Sequence, residues 1–154
     1  MRRHSISRAI AAWFAAALVM MSCPEFRAEP AVCQLEIHLV WGTNDDRSPD
    51  PKHKPVDTEV KDKLKELPLK WSNYFEVTRK SVEVSATGAT RVTLSEKCEL
   101  EVRSLAGSKV EVTLFGKGKE TLKRSQALPK GEMLVLGGNA PNSTAWLVVL
   151  KRIE

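Results

Sequence analysis

A long polar segment near the start of the chain carries residue types that could bind a metal ion. From Gly42 to Pro55 the sequence reads GTNDDRSPDPKHKP, with three prolines and no hydrophobic periodicity. Its candidate metal ligands are Asp45, Asp46, Asp50 and His53. Carboxylates and imidazoles are common ligands, but this spacing fits neither a calcium loop nor the HExxH motif. We therefore expect a solvated loop, and a metal-dependent hydrolase that could also use His38 is an alternative.

The three cysteines are the next candidates for chemistry. Cys33 and Cys98 each alternate in phase with apolar residues, which places both on apolar strand faces. If the chain is exported to an oxidising compartment, these two can pair. We predict a disulfide between Cys33 and Cys98, with two buried thiols as the alternative. A catalytic cysteine is not expected, because no histidine shares a segment and a face with either residue.

The first 31 residues have the organisation of an export signal. The basic segment Met1–Arg8 precedes the apolar segment Ala9–Met21. That apolar segment is shorter than the roughly 20 residues that span a bilayer as a helix, which favours a cleaved signal. Cleavage before Cys23 would leave that residue lipidated, whereas cleavage after Ala28 or Ala31 would release the protein. We expect an exported protein, periplasmic or secreted, with a membrane anchor at Cys23 as the alternative.

The net charge is +5, and the densest group of basic residues lies in the C-terminal third of the chain. This group consists of Lys117, Lys119, Lys123, Arg124 and Lys130. The GKGK stretch lacks the spacing of a phosphate-binding loop, and no aromatic residue lies within the basic group to stack on bases. Nucleic acid is therefore not an expected partner. Lysines on solvated strand edges, which discourage aggregation, explain the cluster.

Strand-like alternation dominates the rest of the sequence. Its clearest case is a hairpin from Cys98 to Phe115, in which apolar and polar residues alternate on both sides of the turn at Ala106–Ser108. Further strands are predicted over Cys33–Trp41, Trp71–Val77, Ser81–Ala86, Arg91–Leu94, Glu120–Leu128, Met133–Leu136 and Ala145–Ile153. One amphipathic helix is predicted to begin after the N-cap Asp57 and to end before Pro68.

These patterns predict one mainly β domain over residues 32–154, after a signal over residues 1–31. We expect an antiparallel sandwich or twisted sheet of about seven to nine strands, with one helix inserted after the first strand. No catalytic motif or cofactor signature is present. The expected function is therefore a non-catalytic exported module that binds a protein or a cell-envelope component. The other alternative is a secreted inhibitor or immunity-type protein that binds through the predicted loop Gly137–Ser143.

Overall fold

The computed structural model describes residues 33–154, which contain nine β-strands and one α-helix. The elements are β1 (Cys33–Thr43), β2 (Lys54–Pro55), α1 (Thr58–Lys65), β3 (Asn73–Val84), β4 (Ala89–Ser95), β5 (Cys98–Leu105), β6 (Lys109–Gly116), β7 (Lys119–Ala127), β8 (Met133–Ala140) and β9 (Thr144–Arg152). The predicted mainly β class and the single early helix are confirmed. The predicted export signal and Cys23 lie outside the described residues.

The strands form two antiparallel sheets. A five-stranded sheet has the order β2-β3-β1-β9-β8, and a four-stranded sheet has the order β4-β5-β6-β7. The predicted central hairpin is present, since Leu100 of β5 pairs with Leu114 of β6. Strand β9 lies between β1 and β8, in agreement with the apolar residues on both of its faces.

Two apolar clusters lie on the two faces of the five-stranded sheet. Alternation along β1 directs Leu35, Ile37 and Leu39 into a cluster that also contains Leu100 and Val112 of the four-stranded sheet. The opposite face of the five-stranded sheet carries a second cluster, which includes the helix side chains. Strands β1 and β9 therefore bury side chains on both faces.

Helix α1 begins where the sequence predicts. The Asp57 carboxylate Oδ1 accepts a hydrogen bond of 3.0 Å from the Val60 amide, which satisfies one of the free donors at the helix start. Val60 and Leu64 are buried, one turn apart, against the five-stranded sheet. Within residues 33–154, no helix is both long and apolar enough to cross a membrane.

Two strand boundaries differ from the prediction. Strand β3 is one strand of 12 residues where the sequence suggested two. Its middle carries polar side chains, which break the apolar alternation without ending the hydrogen bonding to β1. Strand β8 continues through Gly137 and Gly138 to Ala140, where a loop was predicted. Glycines conceal a strand because they have no side chain to contribute to the pattern.

The structure corrects the predicted disulfide, because Cys33 and Cys98 are free thiols. Cys33 begins β1 in one sheet, and Cys98 begins β5 in the other. Cys98 and Leu39 line the same cleft. Leu39 and Cys33 both belong to β1 and lie ~20 Å apart, at the usual rise per residue of a strand. A disulfide needs Cα atoms within about 7 Å of each other. The alternation of apolar and polar residues predicted correctly which strand face carries each cysteine. It did not predict where along the core each cysteine lies.

Candidate functional site

A cleft of about 650 Å³, lined by residues of both sheets, opens at one end of the molecule. We call it the inter-sheet cleft. Among its lining residues are Leu39, Val148, Cys98, Leu114, Gly138 and Trp146. Most of the lining is apolar, and the volume falls within the range of about 300–1,000 Å³ that is usual for small-molecule sites. The cleft thus has the size and the surface of a binding site.

The cleft exists because the apolar layer loses a side chain on β8. Leu136 pairs with Val148, and Gly138, two residues later in β8, pairs with Trp146, two residues earlier in β9. Residues two apart in a strand share a face, so Gly138 and Trp146 continue the apolar face of Leu136 and Val148. Gly138 leaves its position empty, since a Cβ atom there would meet no atom within 4 Å.

Trp146 supplies an aromatic surface at the cleft. It is 42% exposed, although the neighbouring positions of β9 are buried. Its ring meets the Trp41 ring edge to face, with 4.5 Å between the ring centroids. Aromatic pairs of this kind are rigid and bury a large area when a ligand covers them. Trp146 therefore lies partly open to solvent at the cleft.

Cys98 places a thiol in the same cleft. Burial, and then the neighbouring Glu99 carboxylate, raise the pKa of this thiol above its ordinary value. The thiolate is the nucleophilic form of cysteine, and a raised pKa keeps the group protonated at neutral pH. Cys98 therefore acts here as a small apolar lining residue.

A charged cluster lies on the other face of the five-stranded sheet, next to the start of α1. We call it the ion network, and it consists of Glu36, His38, Asp57, Glu76 and Arg79. His38 is fully buried, with Nδ1 2.9 Å from Glu76 Oε2 and Nε2 2.9 Å from Glu36 Oε1. Arg79 Nη2 donates to Glu76 Oε2 at 2.9 Å and to Asp57 Oδ2 at 2.8 Å. These contacts connect β1, β3 and the helix N-cap.

Three residues of the ion network could in principle hold a metal ion. Glu36, His38 and Asp57 each offer a ligand atom, and these atoms lie within 4.8 Å of one another. However, the Arg79 guanidinium lies 2.8 Å from the Asp57 carboxylate and 3.8 Å from that of Glu36. Both nitrogens of the His38 ring also already face carboxylates. The guanidinium supplies positive charge where a cation would bind, so we interpret the cluster as a structural ion network.

The ion network shifts the pKa values of its own members. For both Asp57 and Glu76, burial acts to raise the pKa but is outweighed. The Val60 amide and Arg79 lower the pKa of Asp57, while hydrogen bonds from Arg79 and His38 lower that of Glu76. The pKa of Arg79 is raised, chiefly by its hydrogen bond to Glu76. The charged forms of all three groups are thus the favoured ones.

We expect the fold to lose stability in acid because of these two carboxyl groups. The pKa of each carboxyl group is lower in the folded state than in the unfolded state, where it is near 4. Each group therefore stabilises the fold at a pH above its unfolded-state pKa, and this stabilisation is lost as the pH falls through its folded-state pKa. Urea unfolding from about pH 7 down to about pH 3 measures this loss. The double variant Asp57→Asn/Glu76→Gln should lose less stability over the same range. An equally steep decline in the variant would show that other groups are responsible.

The structure does not bring the four metal ligands predicted in the long loop together. The His53 ring nitrogen Nδ1 lies 2.6 Å from Ser48 Oγ, and its Nε2 is 3.9 Å from the Asp50 carboxylate. Asp50 accepts a hydrogen bond from the Lys52 amide, which is a turn contact within the loop. Within residues 33–154, the potential ligands that do converge are those of the ion network instead. Asp45 and Asp46 belong to no such group.

The five basic residues singled out in the sequence lie in different environments in the structure. Lys123 pairs with Glu111 at 3.1 Å, and Arg124 lies opposite Val112 in the β6–β7 register. Lys119 lies opposite Gly116, which lines the inter-sheet cleft. Lys117 occupies the β6–β7 turn with a positive φ of 51°, and Lys130 is exposed between β7 and β8. The five residues therefore do not form one binding surface.

Sequence reasoning missed both the inter-sheet cleft and the ion network. The cleft depends on how the two sheets meet, which no local pattern records. One feature of the sequence does point to the cleft. Gly138 occupies a strand position where a large residue is expected, and it pairs with Trp146 on the neighbouring strand. For the ion network, the signal is the alternation of Glu36 with His38 on the polar side of β1.

Together these features define a two-sheet antiparallel β protein with an apolar cleft between residues of the two sheets and an ion network on the helix side. No protein-family model matches the chain, and no curated protein and no solved structure is detectably similar to it.

Proposed function

We propose that this chain is an exported, non-catalytic binding module whose two sheets pack as a sandwich and whose ligand is the apolar part of a cell-envelope component. The observation that carries the proposal is the inter-sheet cleft, with its volume of about 650 Å³ and its mainly apolar lining. Export is the expectation from the leader, which lies outside the described residues. The described geometry bears on the binding site only.

Physical chemistry favours binding at this cleft. An apolar ligand gains about 2.5 kcal/mol for each 100 Å² of apolar surface that leaves water. Trp146 presents a large area to such a ligand at low cost, since its ring is already held by Trp41. Gly138 provides space that would otherwise be filled by a side chain. The site is therefore formed before the ligand arrives.

Binding of the neutral apolar dye N-phenyl-1-naphthylamine to the purified full-length chain tests this proposal. Dye fluorescence should rise to saturation with one dye per chain. The variant Gly138→Leu should remove most of this signal, because its side chain extends from a position with free space into the cleft. The control variant Thr93→Leu adds the same side chain at an exposed position of β4 and should bind like the parent.

Circular dichroism and a thermal midpoint for each variant establish that it is folded. Absence of saturable dye binding by the parent chain would overturn the proposal. So would a folded Gly138→Leu variant that binds the dye as the parent does.

A further inference from the structure

The mouth of the inter-sheet cleft carries lysines on its four-stranded side. Lys97, in the turn between β4 and β5, is itself a lining residue. Lys119 begins β7 and pairs with Gly116, which in turn pairs with Cys98. Directly paired residues of antiparallel strands share a face of the sheet. Because Gly116 and Cys98 both line the cleft, Lys119 shares their face of the sheet and lies beside the cleft lining, although it is not itself a lining residue.

The two turns that carry these lysines are joined. The amide of Lys117 donates a hydrogen bond of 3.0 Å to the carbonyl of Lys97, so the β6–β7 turn and the β4–β5 turn lie side by side. A third lysine, Lys117, is thereby brought to the same rim. Three positive charges thus lie in two adjacent turns or directly beside them.

Nearby acidic groups only partly offset this charge. Within residues 33–154, the ion pairs that other lysines form with carboxylates include neither Lys97 nor Lys119. Glu96 also lines the cleft and contributes one negative charge. Glu120 pairs with Phe115, which also borders the cleft. However, the Phe115 ring lies against Arg91, whose neighbour Val92 is a core residue, so Phe115 and Glu120 are directed to the face away from the core. Among the lining residues Lys97 and Glu96 offset each other, so the excess of positive charge beside the apolar interior comes from the adjacent Lys117 and Lys119.

We propose that the ligand is a single-chain amphiphile with a carboxylate head, its hydrocarbon chain lying in the inter-sheet cleft and its head meeting Lys97 and Lys119. This inference rests on the proposed function and specifies the chemistry of the ligand. A carboxylate at the mouth forms charge-assisted hydrogen bonds with the ammonium groups while staying in contact with water. An apolar chain without a charged head would leave the lysines without a role in binding.

Displacement of the bound dye by two matched probes, decanoate and decanol, tests the inference. The two probes share the chain and differ in the charge of the head. Decanoate should displace the dye at about a fivefold to tenfold lower concentration than decanol. In the double variant Lys97→Ala/Lys119→Ala, the decanoate concentration needed to displace the dye should rise to that of decanol. The decanol concentration should stay the same as in the parent.

A matched control keeps the change in net charge constant. Lys109 and Lys130 lie by the opposite end of β7, since Lys109 pairs with Ala127 and Lys130 follows β7 in the chain. The variant Lys109→Ala/Lys130→Ala should therefore retain the preference of the parent for decanoate. Loss of the preference in this control would show that overall charge is responsible and would overturn the inference.

The outcomes separate the two proposals. Equal displacement by decanoate and decanol in the parent chain would overturn the carboxylate inference and leave the binding function in place. Failure of the dye to bind the parent at all would overturn the binding function itself. A decanoate preference that disappears only in the Lys97→Ala/Lys119→Ala variant supports both.

Discussion

Alanine at Gly137 should destabilise the fold by about 2–3 kcal/mol, whereas alanine at the adjacent Gly138 should not destabilise it. A Cβ atom at Gly137 would overlap the carbonyl oxygen of Trp146 and lie 2.7 Å from Leu147 Cδ2 and 3.0 Å from Leu147 Cα. Backbone of a paired strand cannot move aside without breaking the hydrogen bonds of β8 and β9. At Gly138 the added atom enters free space, and replacing a strand glycine can add about 0.5 kcal/mol of stability.

Urea unfolding of the two single variants and the parent measures this difference. The two substitutions have the same chemistry and adjacent positions, so each serves as the control for the other. Equal unfolding midpoints for Gly137→Ala and Gly138→Ala would contradict the close approach of β8 and β9 at Gly137.

Replacing His38 by alanine should destabilise the fold by about 3 kcal/mol. The ring is fully buried and contacts the Glu36 and Glu76 carboxylates at 2.9 Å each. Removing it leaves two carboxylates facing a cavity, without the hydrogen bonds that the ring nitrogens provide. Arg79 still pairs with Glu76, so the cost comes from the cavity and from the partner that the two partly buried carboxylates lose.

The matched control is His53→Ala in the long loop. That ring contacts Ser48 within the same loop and belongs to neither apolar cluster, so its loss should cost about 0.5–1 kcal/mol. Thermal and urea unfolding of both variants give the comparison. If His38→Ala is no more harmful than His53→Ala, the ion network does not hold β1 to β3.

Local patterns predicted the elements that depend on near neighbours in the chain. The β5–β6 hairpin follows from alternation on both sides of a turn, and the start of α1 follows from Asp57 as an N-cap. The two-sided burial of β9 also follows from its composition. Each of these needs only a few consecutive residues to be recognised.

Features that depend on distant segments could not be predicted in the same way. Alternation assigned Cys33 and Cys98 to apolar faces but carries no information about which ends of two strands meet. The inter-sheet cleft likewise arises where the position left empty by Gly138 meets the strand ends of the second sheet, and these segments are distant in the sequence. The long loop was singled out for its ligand types, whereas the residues that converge come from β1, β3 and the helix N-cap.

The unequal burial of the strands has a consequence for the motions of the protein. Strands β1 and β9 lie inside the five-stranded sheet with side chains buried on both faces, so they separate only when the whole domain unfolds. Strand β7 is an edge strand with nearly every residue exposed, and it opens at a much lower free-energy cost. Because β7 begins at the mouth of the inter-sheet cleft, fraying of this edge would widen the entrance while the rest of the domain stays folded.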